Sequence, residues 1–429
     1  MTTSTLTPPR SGSRTVAVQE MAQLQRELFE LERAFISSAT TLVPRVGDPE
    51  VKYLLCQHVW ESAGHARFLR ERGRELTGFG KTDTVRPAIW RVFAEAITPS
   101  DPEALLAGFY GVLKPHILAA YRHYLEATHH LADWPSRKLV EEFIGDEERH
   151  AEEMEPRLNE SPDTHAWCEH LRTALALLDA PDAPVTNFTW HHVASPYAHP
   201  ATCNRGPYPI CSSVFSQDPK ETPIVRDWLD DPKTDARVIR AMIYVWLMME
   251  LDAVDYLSTV FVETLDAPFD MHHDMARHLW DESRHSQFGF RQLPKLGFDL
   301  MTIEQSLELY NILIQMPAAE RYALMTMEFE TGSFATKAKI MDRVRELNDF
   351  EADTLLAFDR NDEQNHVRYG HQWLPEIMKQ CGHEEPVEEF VKAAKANFAK
   401  MAEIHGNKTP HSLTPEQRLT GEKILAAVT

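Results

Sequence analysis

Apolar residues recur along most of the chain at intervals of three and four positions, which is the spacing of one face of an α-helix. Leu24, Leu28, Leu31 and Phe35 form one such series, and another begins at Leu251. The alternation of apolar and polar positions that indicates strands is almost absent, and Gly and Pro cluster between the periodic runs. The pattern therefore predicts an all-α protein with helices of about 20 to 30 residues, as in helical bundles.

One proline-rich stretch interrupts the helical pattern. Residues 181–223 contain eight prolines and little periodicity, and so long an irregular stretch is either a linker or an ordered functional loop. It divides the chain into two parts of similar size. The predicted organisation is a disordered N-terminus (1–15), a first helical bundle (16–180), the proline-rich segment (181–223), a second bundle (224–404) and a C-terminal tail (405–429).

The two parts repeat one order of predicted helices: two long, one short, two long and one trailing. Short stretches of sequence also match, as Trp60 to His65 (WESAGH) resembles Trp280 to His285 (WDESRH). We interpret this as an internal duplication of a four-helix unit. The predicted helices are 16–45, 48–77, 86–97, 101–131, 135–158 and 163–179 in the first part, and 234–265, 268–294, 302–315, 318–346, 349–380 and 385–404 in the second.

Glu-x-x-His motifs supply the candidate chemistry, because residues three apart share one face of a helix. Glu282 and His285 fall on the second long helix of the second part, and Glu363 and His366 fall on the fourth. The first and third long helices offer single carboxylates. These are Glu250 on the first, and either Glu330 or its rival Glu328 on the third.

Glu250 is the most unusual of these positions. Its helical neighbours are Trp246, Leu247, Ala253 and Val254, so its carboxylate is predicted to face a core. A buried carboxylate needs a partner or must neutralise itself. A bound cation, held by Glu250 together with other inward-facing ligands, would be such a partner.

This constellation resembles the ferritin-like di-iron (or di-manganese, or mixed-metal) carboxylate superfamily. In that family two helices each give one Glu and two others each give Glu-x-x-His. The intervals here, 32 residues from Glu250 to Glu282 and 33 from Glu330 to Glu363, suit antiparallel helices joined by short turns. The resemblance implies two tandem ferritin-like bundles, of which the second binds two metal ions. It also implies four catalytic carboxylates, all of them metal ligands, and two further histidine ligands: Glu250, Glu282, His285, Glu330, Glu363 and His366.

The first part lacks two of the expected carboxylates. Aligned with the second part it keeps Glu30, His65, Glu147 and His150, but Ser62 and Lys114 replace two glutamates. We expect a metal-free bundle in which the Lys114 ammonium replaces the cation and pairs with Glu30 and Glu147. Glu61, beside Ser62, leaves a rearranged site open.

Other polar residues leave alternatives open. Asp281 and Asp362, which precede the motif glutamates, are either acceptors for a ligating histidine of a neighbouring helix or solvated. In the proline-rich segment, a plain loop is favoured over a zinc site because the spacing matches no standard zinc pattern; its residues are His191, His192, His199, Cys203 and Cys211. The same segment, which contains Arg205-Gly-Pro-Tyr-Pro, is expected to cover the mouth of the metal site.

Composition limits the partners. Lys plus Arg total 44 and Asp plus Glu total 65, for a net charge of −21, which argues against nucleic acid or an anionic membrane as a partner. Five scattered cysteines without a CxxC pair argue against a disulfide scaffold. The first residues lack the apolar core of a secretory signal, so a cytoplasmic protein is expected.

The superfamily resemblance implies an O2-activating oxidoreductase of the oxygenase, hydroxylase or N-oxygenase type, with two iron ions or a manganese–iron pair. The expected partners are a small organic substrate and an external electron donor or reductase, and homodimerisation is left open. The alternatives are a ferroxidase or other iron-handling protein, and a metal-free helical scaffold. The apolar pocket is expected to contain Trp246, Met249, Phe288, Phe329 and Phe334.

Overall fold

The protein is described by a computed structural model that covers residues 17–77, 83–159, 161–178 and 198–428. Within these ranges the chain is all-α, and its only strands are four of two residues each. The expected disordered N-terminus (1–15) lies outside the described residues, as do His191 and His192.

The first half, residues 17–178, has the predicted order of helices. Asp101 and Ser161 cap two of them by accepting hydrogen bonds from backbone N–H groups, as short polar side chains at N-caps do. A π-helical turn, Phe109–Leu113, joins the fourth and fifth helices into one rod. The helices are α1 (Val18–Ala39), α2 (Pro49–Thr77), α3 (Pro87–Ala96), α4 (Pro102–Gly108), α5 (Lys114–Ala127), α6 (Trp134–Met154) and α7 (Pro162–Ala176).

The second half, residues 236–405, repeats that order. Its third long rod again contains a π-helical turn, Met325–Phe329, whereas its first rod is interrupted at Glu250. Two short helices, α8 (Arg226–Asp230) and α17 (Gly421–Val428), flank this half. The helices between them are α9 (Ala236–Met249), α10 (Leu251–Glu263), α11 (Phe269–Lys295), α12 (Glu308–Leu313), α13 (Ala318–Leu324), α14 (Glu330–Arg345), α15 (Phe350–Gln380) and α16 (Val387–His405).

The described part of the proline-rich segment is an ordered loop. Two parallel pairs of short strands anchor it: β1 (Ile210–Cys211) with β4 (Gln305–Ser306), and β2 (Phe215–Ser216) with β3 (Ile224–Val225). The segment also contacts the first half, where the backbone N–H of Asn204 donates to the carbonyl of Pro44 at 2.8 Å. It therefore joins the two halves.

A buried network of charges lies where this segment meets both halves. The Lys52 Nζ donates to Asp255 at 2.6 Å, and Arg205 pairs with Asp255 and, at 3.1 Å, with Asp252. All four side chains are almost fully buried. The guanidinium of Arg205 is held in this interface by two carboxylates, and it is two later residues of the segment, Ser213 and Phe215, that line the cavity at the predicted metal site.

One rod, Pro102–Ala127, is long and apolar enough to cross a membrane by length and composition alone. In the structure it is the third long rod of the first half, and 61% of its most apolar window is buried inside the protein. Its Lys114 side chain is buried in the core and paired with Glu147. These are the properties of a core helix.

Candidate metal centre

The four long rods of the second half bring together eight side chains of types that can bind metal. On α11 they are His278, Glu282 and His285, and α15 carries its three at the same spacing of four and three residues. Since such residues share one helical face, each helix presents three ligands to the centre. The α15 residues are Asp359, Glu363 and His366, and the other rods add Glu250 and Glu330.

Four of these residues form cluster A: His278, Glu282, Glu330 and His366, all buried. The His278 Nε2 lies 3.0 Å from Glu330 Oε1, and the His366 Nδ1 lies 3.2 Å from both Glu282 Oε1 and Glu330 Oε2. One ligand atom from each residue falls within 4.8 Å of the others. Two imidazoles and two carboxylates at this separation are able to surround one cation.

The remaining four form cluster B: Glu250, His285, Asp359 and Glu363. The His285 Nδ1 lies 3.3 Å from Glu250 and 3.5 Å from Asp359. Cluster B differs from cluster A in containing an ammonium group. The Lys337 Nζ lies 3.2 Å from Glu250, 2.7 Å from Asp359 and 2.5 Å from Glu363.

Unpaired atoms mark both clusters. Buried polar atoms normally find hydrogen-bond partners, because leaving them without one costs about 1–3 kcal/mol each. Among the described residues, six buried atoms of the two clusters form no hydrogen bond. They are His278 Nδ1, Glu282 Oε1, Glu250 Oε2, His285 Nδ1, Asp359 Oδ2 and Glu363 Oε2. Five of these atoms belong to side-chain edges that face the clusters, as a cation site requires; the sixth, His278 Nδ1, is on a different edge of the ring from the Nε2 that faces Glu330.

Two aspartates orient the motif histidines across the centre. Asp281 Oδ2 lies 3.4 Å from the Nε2 of His366 on the opposite helix, and Asp362 Oδ2 lies 3.4 Å from the Nε2 of His285. Both aspartates are buried, and Arg284 contacts both of them. Of the two alternatives left open for Asp281 and Asp362, the structure favours the acceptors. Each histidine therefore turns its Nδ1 toward the ligand clusters.

The charges of the centre act strongly on one another. Burial opposes ionisation of Glu282, but contacts with His278 and His366 hold the pKa of its carboxyl at about 2. Burial raises the pKa of Glu363 well above its usual range, and the charge of Glu330 adds to that effect. Burial lowers the pKa of Lys337, but the carboxylates around it raise that pKa well above the ordinary lysine value. The carboxylates around Lys337 therefore favour its charged form.

A cavity of about 490 Å³ opens onto both clusters, where its wall includes Glu250, Glu282, Glu330 and Glu363. Elsewhere its wall is mixed: Trp246, Met249 and Phe329 line it as expected, together with Phe215 of the proline-rich segment, and polar or charged residues such as Arg226, Asp252, Glu308 and Lys337 complete it. The full apolar and aromatic set is Phe215, Trp246, Met249, Ala253, Tyr256, Leu309, Met325 and Phe329. Two further expected residues, Phe288 and Phe334, are not part of this wall.

The structure brings all six sequence-predicted ligands together. It also separates the two rivals on the third rod, because Glu330 is buried in cluster A whereas Glu328 pairs with Lys395 at 2.7 Å on the surface. Sequence reasoning missed His278, Asp359 and Lys337. A search one helical turn before each Glu-x-x-His would have found His278 and Asp359, since each precedes its motif glutamate by four residues.

The first half contains a smaller version of the centre. Glu32, His65 and Glu147 lie together, and the Lys114 Nζ donates to Glu147 at 2.6 Å and to Ser62 at 3.0 Å. The predicted pairing of Lys114 with Glu147 is confirmed, but the pairing with Glu30 is wrong.

Three glutamates of the first half, Glu30, Glu32 and Glu61, differ in the side chains that they contact. The Glu30 carboxylate turns away from the centre and accepts hydrogen bonds from Arg26 and Arg86. Glu32, two residues later, lies 3.2 Å from His65 instead. Glu61 has the role of Asp281, because its Oε2 lies 2.6 Å from the His150 Nε2.

The candidate zinc ligands in the described part of the proline-rich segment do not lie close to one another. His199 pairs with Glu263 at 2.6 Å, Cys203 lies 4.0 Å from Asp252, and Cys211 groups with Glu304 and His411. The structure does not bring His199, Cys203 and Cys211 to one zinc site. All five cysteines of the chain are free thiols.

One model of a known protein family matches part of the chain. A family model described as a protein of unknown function (DUF455) matches residues 224–411, a range that contains every residue of clusters A and B. No curated protein and no solved structure matches the chain significantly.

Proposed function

We propose that the protein is a metal-dependent oxidoreductase that binds two redox-active cations in clusters A and B and activates dioxygen to oxidise a small organic substrate. The supporting observation is that buried, unpaired imidazole and carboxylate atoms from four helices converge beside a cavity whose wall includes four aromatic side chains. Carboxylate-rich ligand sets with two or three imidazoles suit iron and manganese better than thiolate-preferring metals.

The charge of the centre fits two divalent cations. Clusters A and B contain five carboxylates, and Lys337 contributes one ammonium, which leaves a formal charge of −4 when the histidines are neutral. Two divalent ions would neutralise it. They would also give partners to the unpaired atoms and offset the cost of burying so many carboxylates.

The repeated architecture supports a duplicated ferritin-like bundle as the scaffold. Both halves place a π-helical turn directly before the residue that faces the centre on the third rod, which is Lys114 in one half and Glu330 in the other. Both halves also contain Glu-x-x-His on the fourth rod. We infer that the second half is the metal-binding copy and that the first half is a metal-free partner packed against it.

The side chains around the metal centre and those of the cavity wall have different roles in this proposed function. Asp281 and Asp362 hold the Nε2 atoms of His366 and His285, so that the Nδ1 atoms are available to metal. When bound, the metal pair would supply electrons to dioxygen, while the apolar part of the wall around Trp246 and Phe329 keeps a substrate close and limits water. Clusters of this composition suit hydroxylation, N-oxygenation, desaturation or oxidative cleavage, with electrons from an external donor.

The first test is elemental analysis of the full-length protein after anaerobic purification and loading with Fe²⁺ or Mn²⁺. We expect close to two ions per chain. The loaded protein is then reduced and exposed to oxygen while its absorption spectrum is followed. A spectral change and oxygen uptake coupled to one oxidised organic product support the oxidoreductase.

Two results would contradict the proposed oxidoreductase, and each would favour one of the alternative functions. Oxygen uptake that only converts Fe²⁺ to Fe³⁺, with accumulation of iron beyond two ions per chain, indicates an iron-handling protein. A protein that binds no metal under any loading condition indicates a helical scaffold.

A further inference from the structure

Lys337 distinguishes the two ligand clusters. Its Nζ lies within 3.2 Å of three of the four cluster B residues: Glu250, Asp359 and Glu363. Among the described residues, neither carboxylate of cluster A pairs with a lysine or an arginine; the ion-pair partners of Glu282 and Glu330 are histidines. The second half therefore contains one cation-free cluster beside one that already includes a positive charge.

The ammonium of Lys337 uses only one oxygen of each carboxylate. It contacts Oε1 of Glu250, Oδ1 of Asp359 and Oε1 of Glu363. The second oxygen of each forms no hydrogen bond, and neither does the Nδ1 of His285. The Lys337 ammonium thus binds one oxygen of each of three carboxylates. The other oxygen of each carboxylate and the His285 Nδ1 remain as four ligand atoms for a cation.

We propose that Lys337 is a positioning residue for cluster B whose ammonium, bound to three of the four cluster B side chains, makes the two metal positions unequal. This inference rests on the proposed function. Cluster A takes the first ion, because two carboxylates with no neighbouring ammonium attract a divalent cation without opposition. The two clusters carry the same formal charge, but cluster B takes the second ion more weakly, because the Lys337 ammonium already occupies one oxygen of each of its three carboxylates and lies close to the position of the ion.

Lys337 also explains the presence of Asp359, which is an extra carboxylate beyond the six predicted ligands. The Lys337 Nζ lies 2.7 Å from it, and both side chains are nearly fully buried. A buried carboxylate and a buried ammonium compensate one another at this distance. The pair adds ligand positions to cluster B without changing the net charge that the two ions must neutralise.

The test is a titration of metal-free, full-length protein with Mn²⁺. Calorimetry and electron paramagnetic resonance monitor the binding of the metal. We expect two steps in the wild type, the second with a Kd at least about tenfold weaker, which corresponds to about 1.4 kcal/mol. In Lys337→Met the second step tightens by at least about tenfold and the first is unchanged. A spin-coupled Mn²⁺ pair should then appear at lower metal concentration than in the wild type.

Two control variants separate the charge of Lys337 from its contribution to folding. Lys339→Met removes a surface lysine of the same helix, which pairs with Asp230 at 2.5 Å, and both binding steps should stay as in the wild type. Lys337→Arg keeps the positive charge, so the two steps should remain unequal.

If Lys337→Met does not fold, Asp359→Asn provides the second measurement. This substitution removes one ligand and one negative charge from cluster B alone. We expect it to weaken the second step further and to leave the first unchanged.

Three outcomes overturn the inference while leaving the proposed function in place. The first is two equal binding steps in the wild type. The second is a Lys337→Met variant in which both steps change together or neither changes. The third is an Asp359→Asn variant that weakens the first step. A wild-type protein that binds no Mn²⁺ instead overturns the proposed function itself, and this inference with it.

Discussion

The imidazole rings of His278 and His366 stack face to face, with centroids 3.7 Å apart and planes inclined by 16°. His58 and His150 stack in the same way in the first half, with centroids 3.9 Å apart. The two halves therefore share a histidine pair at the same place between their second and fourth rods. They differ in the third rod, where Glu330 lies beside one pair and Lys114 lies near the other.

Glu330 is expected to be necessary for cluster A. Glu330→Ala removes a buried carboxylate 3.0 Å from His278 and 3.2 Å from His366, and should lower the metal content by about one ion per chain, since ligand loss reduces metal affinity. Elemental analysis measures the change. Glu328→Ala, two residues away and paired with the surface Lys395, is the matched control and should retain the wild-type content. Equal metal content in both variants would contradict the assignment.

The first half is expected to bind no metal by itself. Glu32 and Glu147 give it two carboxylates, and the buried Lys114 ammonium compensates one of them. The full-length chain with Glu282, His285, Glu363 and His366 all replaced by alanine should therefore hold no stoichiometric metal. Elemental analysis checks this, with circular dichroism to establish that the helices remain. Stoichiometric metal in this variant that is lost on a further Glu147→Ala substitution would show that the first half has a site.

Lys114 is expected to stabilise the first half. Lys114→Met leaves Glu147 buried without its partner, and breaking a buried ion pair costs about 3–5 kcal/mol in the free energy of unfolding. Urea denaturation measures this loss, and Lys114→Met with Glu147→Leu should recover most of it. Arg122→Met breaks an exposed pair with Glu148 and should cost under about 1 kcal/mol. An equal loss in both single variants would contradict the role of burial.

Gly289 is expected to allow α11 to pack closely against α9. A Cβ at this position would lie 2.3 Å from the Tyr244 carbonyl oxygen and 2.3 Å from the Met248 nitrogen, both backbone atoms. Gly289→Ala should therefore force the helices apart and cost about 1–3 kcal/mol.

The same substitution should weaken metal binding, because Glu282 and His285 lie on the displaced helix. Gly64→Ala, on exposed α2 surface with no neighbouring atom within 4 Å, should instead stabilise the protein by about 0.5–1 kcal/mol. Thermal unfolding and metal titration check the two variants. A Gly289→Ala protein that is as stable as the wild type would contradict the close packing.

His272 is expected to make the stability depend on pH. Burial, with a smaller contribution from Arg33, lowers the pKa of its imidazole to about 3. The unfolded chain takes up a proton near pH 6.5 and the folded protein does not, so this contribution to stability is present above that pH and is lost as the pH falls. The loss should reach about 2 kcal/mol at pH 5.

A substitution tests this pH dependence directly. In His272→Gln, whose amide is able to donate to the Thr264 carbonyl as the imidazole does at 3.0 Å, the decrease in unfolding free energy from pH 7 to pH 5 should be smaller by that amount. His123→Gln, at an exposed position on α5, should change nothing. Urea denaturation at both pH values measures the difference. Parallel pH profiles for wild type and His272→Gln would exclude the effect.

The local part of this architecture was predictable from the sequence. Helical periodicity and its interruptions predicted the order of the rods in both halves, with bounds mostly within a few residues of those observed. They also placed the six candidate ligands on four separate helices. Both inferences use only spacing along the chain, because which residues share a helical face depends on the neighbouring residues and not on the rest of the fold.

The tertiary structure decided which polar side chains face the centre. Glu30 and Glu32 are both fully buried, but only Glu32 turns toward His65, and the choice depends on how α1 is rotated against α2. The π-helical turns before Lys114 and Glu330 alter the phase of the third rods in a way that regular helical spacing does not predict. Lys337 meets Glu250, from another rod, only after the helices pack. The sequence determined the helices and six of the candidate ligands on them, whereas packing set the rotation of the helices and with it the charge of each cluster.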